Sequence, residues 1–284
     1  MGIKTAIEWC DSTVNPTTGC GGCELWSRYG SNRTCYAGNL HTNRLAKSLP
    51  NLYAPDFTEV RLAPGRMAAA AQWSDLRGTN RPDKPWLNGQ PRTIFVGDMG
   101  DVFSRSVPDD YLFSEVFWAP RSPKGWRHYW LVLTKRASRA AAFSREFDTP
   151  YARYSWPENV WLGVSVTSQA TVRRATILAE SAVAPVKFLS IEPLLGWVHL
   201  STDTIKEIGW VIVGGESGPN ARPCNVDYVR RIVSQCQDDG VPVFVKQLGS
   251  NPRGVSPLRD RAGGDPSEWP DDLRVREFPG GCNT

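Results

Sequence analysis

The sequence predicts an α/β fold, a partial TIM-type (βα)6 barrel with an N-terminal cluster loop. Three observations carry this prediction. Short β-rich runs recur along the 284 residues and are separated by segments long enough for helices. Most runs are continuously apolar, which is typical of strands buried on both faces of a parallel sheet. Polar residues follow the strands directly, as at the catalytic end of such barrels. An open doubly wound sheet is the alternative fold.

The order of elements follows from these runs and from the turn residues between them. The predicted strands are Thr5–Trp9, Thr93–Val96, Tyr129–Leu133, Val160–Val164, Lys187–Ile191, Trp210–Val213 and Val243–Val245. The predicted helices are Met67–Trp73, Pro108–Phe117, Ser138–Phe147, Ser168–Ser181 and Val226–Asp238. Residues 1–249 are therefore predicted to form the barrel, with 37–92 as a helical and loop insertion. Residues 250–284, rich in Gly, Pro, Asp and Arg, are predicted to be an irregular C-terminal extension, loop-like or partly disordered.

Composition limits the class of protein. A hydrophobic content of 40% and a charged content of 22% are typical of a globular domain. The start of the chain lacks the apolar core of a signal peptide, and no run has membrane-spanning length, so we expect a cytoplasmic protein without a membrane partner. In that reducing compartment the seven cysteines are expected to be ligands or thiols rather than disulfides. The net charge of +4 allows a polyanionic partner.

Three cysteines lie in one glycine-rich loop near the start of the chain. Cys20 and Cys23 are separated by two glycines, and Cys35 follows after eleven residues. Three thiolates would leave one iron of a [4Fe–4S] cluster open to a substrate or cofactor. The same cysteines with His41 also give a zinc spacing, and spacing alone does not separate the two metals. Cys10 as a fourth ligand would close the cluster, whereas Cys224, Cys236 and Cys282 are expected to be ordinary thiols.

Several long motifs around this loop carry a family resemblance. They are Ala-Ile-Glu-Trp-x-Asp-x-Thr-x-Asn-Pro-x-Thr-Gly-Cys, Cys-Tyr-Ala, Gly-Val-Ser-Val, Ser-Ile-Glu-Pro-Leu-Leu-Gly and Gly-Gly-Glu-Ser-Gly-Pro-x-Ala-Arg-Pro. Over residues 5–247 the chain resembles a phage-associated family of distant radical S-adenosylmethionine (SAM) proteins related to spore photoproduct lyase. The resemblance implies a partial TIM barrel with a [4Fe–4S] cluster on Cys20, Cys23 and Cys35. It also implies reductive cleavage of SAM to a 5′-deoxyadenosyl radical in a phage-infected host cell. An external electron donor such as flavodoxin or ferredoxin would supply the electron.

The resemblance also implies roles for residues that follow the strands. For the cofactor, Gly97 and Asp98 would meet the SAM ammonium, Ser165 and Thr167 the ribose, Tyr36 the adenine, and Gly214 and Gly215 the nucleoside. For the substrate, we expect Glu192, Lys135 and Glu216 to act in catalysis, and Lys135, Arg222 and Lys246 to bind. Simpler readings remain open. Asp98 would cap a helix, Gly214 and Gly215 would form a tight turn, and Glu192 would form a salt bridge to Lys135 or Lys246.

The resemblance to a DNA-lesion lyase indicates DNA as the partner and an isomerisation of a modified thymine as the reaction. A base in duplex DNA would have to be flipped out, or be single-stranded already, to reach such a site. Two alternatives stay open. One is radical SAM chemistry on a small molecule or peptide. The other is a zinc-stapled nucleic-acid-binding protein without catalysis.

Overall fold

A computed structural model describes residues 2–149 and 154–280 of the chain, so the predicted thiol Cys282 lies outside the described residues. In chain order, its strands are β1 (Ser12–Val14), β2 (Thr17–Thr18), β3 (Arg61–Leu62), β4 (Thr93–Val96), β5 (Tyr129–Thr134), β6 (Val160–Ser165), β7 (Lys187–Ile191), β8 (Trp210–Gly214), β9 (Cys224–Asn225), β10 (Val243–Gln247) and β11 (Pro252–Arg253). The α-helices are α1 (Tyr36–Leu40), α2 (Ala46–Ser48), α3 (Arg66–Ala71), α4 (Asp109–Tyr111), α5 (Ala137–Arg145), α6 (Arg173–Ser181), α7 (Thr202–Lys206) and α8 (Val226–Asp238). π-Helical turns span His41–Leu45 and Leu112–Val116, and 3₁₀ turns span Pro85–Leu87, Ala119–Arg121, Gln169–Thr171, Pro266–Glu268 and Asp271–Leu273.

Within the described residues, seven strands form one sheet in the order β1-β4-β5-β6-β7-β8-β10. Neighbouring strands run parallel, for example β1 beside β4, β7 beside β8 and β8 beside β10. Strands β4, β6 and β8 are buried along their whole length, as continuously apolar runs require. This order and direction confirm the predicted α/β class and the partial TIM-type barrel.

The first strand lies elsewhere than predicted. Instead of Thr5–Trp9, the strand is the polar segment Ser12–Val14. The apolar residues before it form turns, and there Trp9 is buried with its ring 4.7 Å from that of Phe95. Ser12 tolerates burial because its hydroxyl donates to the Ile3 carbonyl at 2.8 Å. The prediction was wrong because it relied on apolarity, whereas this edge strand satisfies its polar side chains internally.

The helices agree with the sequence in position and differ at their ends. Helix α8 spans the predicted residues. Asn225 caps its N-terminus, because the Asn225 side chain accepts from the backbone N–H of Asp227 at 3.0 Å. The predicted helix Pro108–Phe117 begins as α4 and continues as a π-helical turn. The predicted helix Ser168–Ser181 divides into a 3₁₀ turn and α6. Predicted insertion residues 37–92 contain α1–α3 and β3.

The chain divides into two compact units. The first comprises residues 1–77, 91–161 and 183–185, and the second comprises residues 78–90, 162–182 and 186–284. In the second unit, the C-terminal extension is irregular but pairs with β10. Val245 donates to the Val275 carbonyl at 2.8 Å, and Glu277 donates to the Val243 carbonyl at 3.0 Å. None of the helices in the described ranges is long and apolar enough to cross a membrane.

Candidate functional site

The cysteine loop in the first unit follows β2 directly. Gly19 has a φ of 79°, and a Cβ at this position would lie 2.3 Å from the Glu59 carbonyl oxygen, so only glycine fits. The Cys20 N–H donates to the Phe57 carbonyl at 2.8 Å. The Cys23 N–H donates to the Trp26 carbonyl at 2.9 Å, and the Trp26 N–H donates back at 3.1 Å. Backbone hydrogen bonds therefore fix the first two cysteines.

The third cysteine is fixed by the same loop. The Cys35 N–H donates to the Leu25 carbonyl at 2.9 Å, and α1 begins at the next residue. Gly38 in that helix packs on the Trp26 ring so closely that a Cβ would lie 2.4 Å from a ring carbon. Cys20 and Cys35 both pack against one buried cluster, which consists of Trp26, Ala37, Tyr53, Phe57 and Met99. The fold thus holds two of the three predicted ligands against a common aromatic cluster.

All three cysteines are free thiols, and burial favours the protonated form of Cys20 and Cys23. Burial raises the pKa of Cys20 to about 12, and the nearby Asp101 carboxylate acts in the same direction. Burial also raises the pKa of Cys23, against the opposing charge of Lys135. A thiol in such surroundings becomes a thiolate when a metal centre supplies positive charge. Tightly bound metal, rather than an unassisted thiolate nucleophile, is the chemistry that this loop suits.

The three cysteines of the loop can be compared with the needs of two kinds of metal centre. In the described residues no group of three or more His, Cys, Asp or Glu side chains has the geometry to hold one metal ion. A [4Fe–4S] cluster does not need that convergence, because each thiolate binds a different iron. The donor set of three soft thiols therefore fits the cluster that the resemblance implies.

His41 keeps the zinc alternative open through one feature of its ring. It is fully buried, and its Nε2 lies 2.6 Å from the Ala54 carbonyl oxygen. Its ring packs edge-on against Tyr53 and Phe57. Its Nδ1 has no hydrogen-bond partner among the residues that the structure describes. A histidine that donates from one nitrogen to a carbonyl has the other nitrogen available for a metal.

Asp98 follows β4 at the position predicted for the SAM ammonium. Its side chain is half-buried, and its Oδ1 accepts from Asn15 Nδ2 at 2.5 Å. Asn15 Oδ1 accepts in turn from the Met99 N–H at 2.9 Å. Burial raises the pKa of the Asp98 carboxyl, and a cation placed against it would lower that pKa again by favouring the ionised form. No side-chain cap of a helix by Asp98 is found in the described residues, where Asn15 is its hydrogen-bond partner.

A network that the sequence did not assign lies behind the cysteine loop. The buried Asp101 carboxylate accepts from the Thr134 hydroxyl at 2.7 Å and from the Lys135 N–H at 3.0 Å. The Thr134 hydroxyl accepts from the Arg136 N–H at 2.9 Å, and the Arg136 guanidinium donates to the Gly22 carbonyl. The end of β5 is thereby tied to the loop between Cys20 and Cys23. The two aspartates after β4, Asp98 and Asp101, were the available signal, but the sequence does not show which carboxylate is buried.

In the second unit, Glu192 and Lys246 form an ion pair. Glu192 Oε1 lies 3.3 Å from Lys246 Nζ, and both side chains are largely buried. Glu192 Oε2 accepts from the Ser190 hydroxyl at 3.4 Å. A Cβ on Gly214 would come within 3.2 Å of Glu192 Oε1, so this glycine leaves room for the carboxylate. Glu192 therefore has one of the two partners that the sequence left open, and Lys135 lies in the first unit.

Ser165 and Thr167, predicted to meet the ribose, are almost fully buried. The Ser165 hydroxyl lies 3.4 Å from the backbone carbonyl of Glu192, a long contact for a hydroxyl donor. The N–H of Thr167 donates to the Thr171 hydroxyl at 2.9 Å. These two hydroxyls therefore sit within the packed end of β6, and their predicted role stays a prediction.

Glu216 and Arg222 form a two-point ion pair after β8. Arg222 donates from Nε and from one terminal nitrogen to the two carboxylate oxygens, at 2.8 and 2.7 Å. Burial opposes ionisation of Glu216, but these hydrogen bonds outweigh it and hold the pKa of the carboxyl below its usual value. Gly215 lies against β10, since a Cβ there would be 2.3 Å from the Leu248 carbonyl oxygen. Glu216 is thus held ionised by a fixed partner.

The remaining predicted residues have contrasting surroundings. Tyr36, assigned to adenine, is 75% exposed. Cys10 is fully buried, as are Cys224 and Cys236, and burial raises the pKa of Cys224 to about 11.

The predicted site residues are divided between the two units. The first unit holds Cys20, Cys23, Cys35, Tyr36, Gly97, Asp98 and Lys135. The second unit holds Ser165, Thr167, Glu192, Gly214, Gly215, Glu216, Arg222 and Lys246.

Fold and site together define an α/β protein of the partial-barrel class with a three-cysteine loop suited to a metal centre. The chain belongs to the family described as protein of unknown function DUF5131, whose model matches residues 4–268. In comparisons with curated proteins and with solved structures, no match was found.

Proposed function

We propose that this protein is a radical SAM enzyme that rearranges a modified thymine base in DNA. The observation that carries the proposal is the loop that holds three reduced thiols, two of them against one aromatic cluster. A parallel partial-barrel sheet supports it, as does the resemblance of the surrounding motifs to radical SAM proteins.

Cys20, Cys23 and Cys35 would hold the [4Fe–4S] cluster. When bound and reduced, the cluster would supply the electron that cleaves the sulfonium of SAM to methionine and a 5′-deoxyadenosyl radical. Around it, the carboxylate of Asp98 would hold the SAM ammonium in place, because an anion fixed by Asn15 meets a cation there without rearrangement. Lys135 would add positive charge beside Cys23, which favours the thiolate.

In the second unit, the proposal assigns two charged pairs to the substrate. Glu192 with Lys246, and Glu216 with Arg222, have their charges compensated in the described structure. A polar group of the substrate would have to compensate the charge of any partner that it displaces, because a buried charge left alone is costly. The base itself would have to be unstacked before reaction. An external donor such as flavodoxin or ferredoxin would supply the electron.

One alternative has an observation of its own. Nδ1 of the buried His41 has no hydrogen-bond partner among the described residues, and it would be the fourth ligand of a zinc site with the three cysteines in a nucleic-acid-binding protein without catalysis. Radical SAM chemistry on a small molecule or peptide is the alternative within the enzyme class.

Anaerobic purification separates these functions. The proposal expects a brown protein with iron and sulfide that forms 5′-deoxyadenosine from SAM with dithionite. Cys20→Ala, Cys23→Ala and Cys35→Ala should each lose the cluster, whereas Cys236→Ala, which changes a buried thiol elsewhere, should keep it. Colourless protein with stoichiometric zinc would refute the proposal and support the His41 site. Mass analysis of DNA nucleosides from cells with and without the gene then tests the thymine substrate.

A further inference from the structure

The segment between Glu24 and Asp56 is strongly one-sided in charge. Residues 25–55 contain no Asp or Glu but include four basic residues, Arg28, Arg33, Arg44 and Lys47. All four are exposed. The whole chain has a net charge of +4, so a large local excess lies in this one segment. A local excess of this kind attracts anionic partners more effectively than the average charge does.

The same segment exposes aromatic rings. Tyr29 is 91% exposed and Tyr36 is 75% exposed, the highest values among the large hydrophobic side chains that the structure describes. Rings this exposed add almost nothing to the hydrophobic stabilisation of the isolated chain. Single exposed rings are common on protein surfaces, but here two flank the third cysteine within one basic segment.

The segment is also locally ordered. The Gly30 N–H donates to the Ser27 hydroxyl at 2.7 Å, which closes the turn that bears Tyr29. The Arg28 guanidinium lies 5.5 Å from the Tyr29 ring centroid, and that of Arg33 lies 4.8 Å from the Trp26 ring centroid. Asn39 in α1 donates to the Arg33 carbonyl at 3.0 Å, which joins the loop to the helix that starts at Tyr36.

The Asp56 side chain lies near two arginines of this surface. Hydrogen bonds from Thr58 lower the pKa of Asp56, and the charges of Arg33 and Arg28 lower it further, so Asp56 lies within electrostatic range of both arginines. Its Oδ1 already accepts from the Thr58 N–H at 2.8 Å. Four basic residues against Asp56 and Glu24 leave residues 24–56 with a net positive charge. Glu24, directly after Cys23, is the nearest other acid in sequence.

We propose that Arg28, Tyr29, Arg33 and Tyr36 form a docking surface for a single-stranded polynucleotide, extended by Arg44 and Lys47. Exposed aromatic faces stack on unpaired bases, and basic side chains follow the phosphates. Duplex bases are already stacked, so the tyrosines favour a single strand. The inference deepens the proposed function and rests on it in one respect. Arg28, Tyr29 and Arg33 lie between Cys23 and Cys35 in the sequence, and Tyr36 directly follows Cys35. A strand bound to this surface would present an unpaired base to the metal centre. It assigns Tyr36 to a base of the polynucleotide rather than to adenine.

Fluorescence anisotropy with a labelled 20-mer of dT, an rU 20-mer and a 20-base-pair duplex tests the surface. The single strands should bind more tightly than the duplex, and affinity should fall steeply with salt. Tyr29→Ala and Tyr36→Ala should each weaken binding about 5- to 150-fold, the loss of one stacked base. Arg28→Ala should lower the salt slope by about 0.7 if it contacts one phosphate. Trp126→Ala and Arg231→Ala, exposed residues outside the segment, are the matched controls and should bind like wild type.

The outcomes separate this surface from the proposed function. Equal binding by wild type and the tyrosine variants, or tighter binding to anionic lipid vesicles than to dT 20-mer, would overturn the surface. An iron protein that cleaves SAM but does not bind single strands would overturn the surface alone. A zinc protein whose binding falls with Tyr29→Ala would support the surface and overturn the proposed enzyme. Unchanged thermal melting of the exposed-residue variants shows that lost binding is not lost folding.

Discussion

Asp101 holds the end of β5 against the turn after β4, and its substitution tests whether this network positions the cysteine loop. The carboxylate is buried and accepts three hydrogen bonds from the described residues. These come from the Phe103 N–H at 3.0 Å, the Thr134 hydroxyl at 2.7 Å and the Lys135 N–H at 3.0 Å. The substitution Asp101→Asn keeps the shape of the side chain and removes its charge.

The expected loss follows from these contacts. An amide oxygen can still accept from Phe103 and Thr134, but those bonds weaken when the acceptor is neutral. The amide nitrogen then faces the Lys135 N–H, so one buried donor loses its acceptor, at a cost of about 1–3 kcal/mol. With the weaker remaining bonds, Asp101→Asn should lower the free energy of unfolding by about 2–4 kcal/mol. Displacement of Thr134 should in turn release Arg136 from the Gly22 carbonyl.

Urea unfolding at pH 7 measures the first effect, and iron content after anaerobic reconstitution measures the second. Asp148→Asn removes the same charge at an exposed position and should change stability by less than about 0.5 kcal/mol. An Asp101→Asn protein that matches Asp148→Asn in both stability and iron content would refute the positioning role. Lower stability with full iron loading would show that the network supports the fold without positioning the loop.

Three further predictions concern buried contacts. Burial lowers the pKa of His128 to about 4, so below about pH 6.5 the unfolded chain binds a proton before the folded protein does. The free energy of unfolding should therefore drop by up to about 3 kcal/mol by pH 4. In urea titrations, His128→Gln should show a weaker dependence of this free energy on pH. Gly38→Ala should destabilise by about 1–2 kcal/mol in thermal or urea unfolding, because a Cβ would press on Trp26. Arg276→Lys should lose about 1–3 kcal/mol by urea unfolding, since the guanidinium lies over the rings of Trp86, Phe244 and Trp269.

Each of these three has a control. An unchanged pH slope in His128→Gln would contradict the first. Adding Trp26→Phe to Gly38→Ala should recover part of the loss, and strict additivity would argue against the close contact. Arg253→Lys, at an exposed position of the same unit, should leave stability within about 0.5 kcal/mol, and an equal loss in both arginine variants would contradict the stacking argument.

The continuous apolar runs were enough to place the buried strands. Thr93–Val96 and Lys187–Ile191 are strands over the predicted residues, because parallel strands covered on both faces need apolar side chains throughout. The same rule failed at Ser12–Val14, where the Ser12 hydroxyl donates to the Ile3 backbone carbonyl. The rule uses only side-chain polarity, whereas a polar side chain of an edge strand can be buried once it has a hydrogen-bond partner.

The supporting residues of the candidate site could not be assigned in this way. Asn15, Asp101 and Arg136 act through bonds to residues 33 to 114 positions away in the chain. Their types are common after strands, and only the fold shows which carbonyl or carboxylate each one reaches. The partner of Glu192 was likewise open between two lysines until the structure paired it with Lys246.

The sequence by itself determined the α/β class, the positions of six of the seven strands in the parallel sheet, and the three-cysteine loop. These features depend on local pattern, composition and spacing, which are readable without coordinates. Tertiary structure alone decided that Trp26 and Phe57 support two of the cysteines, that Asp101 ties β5 to the turn after β4, and that Tyr36 faces solvent. Partner choice and exposure depend on how distant segments pack, and that packing is a property of the whole fold.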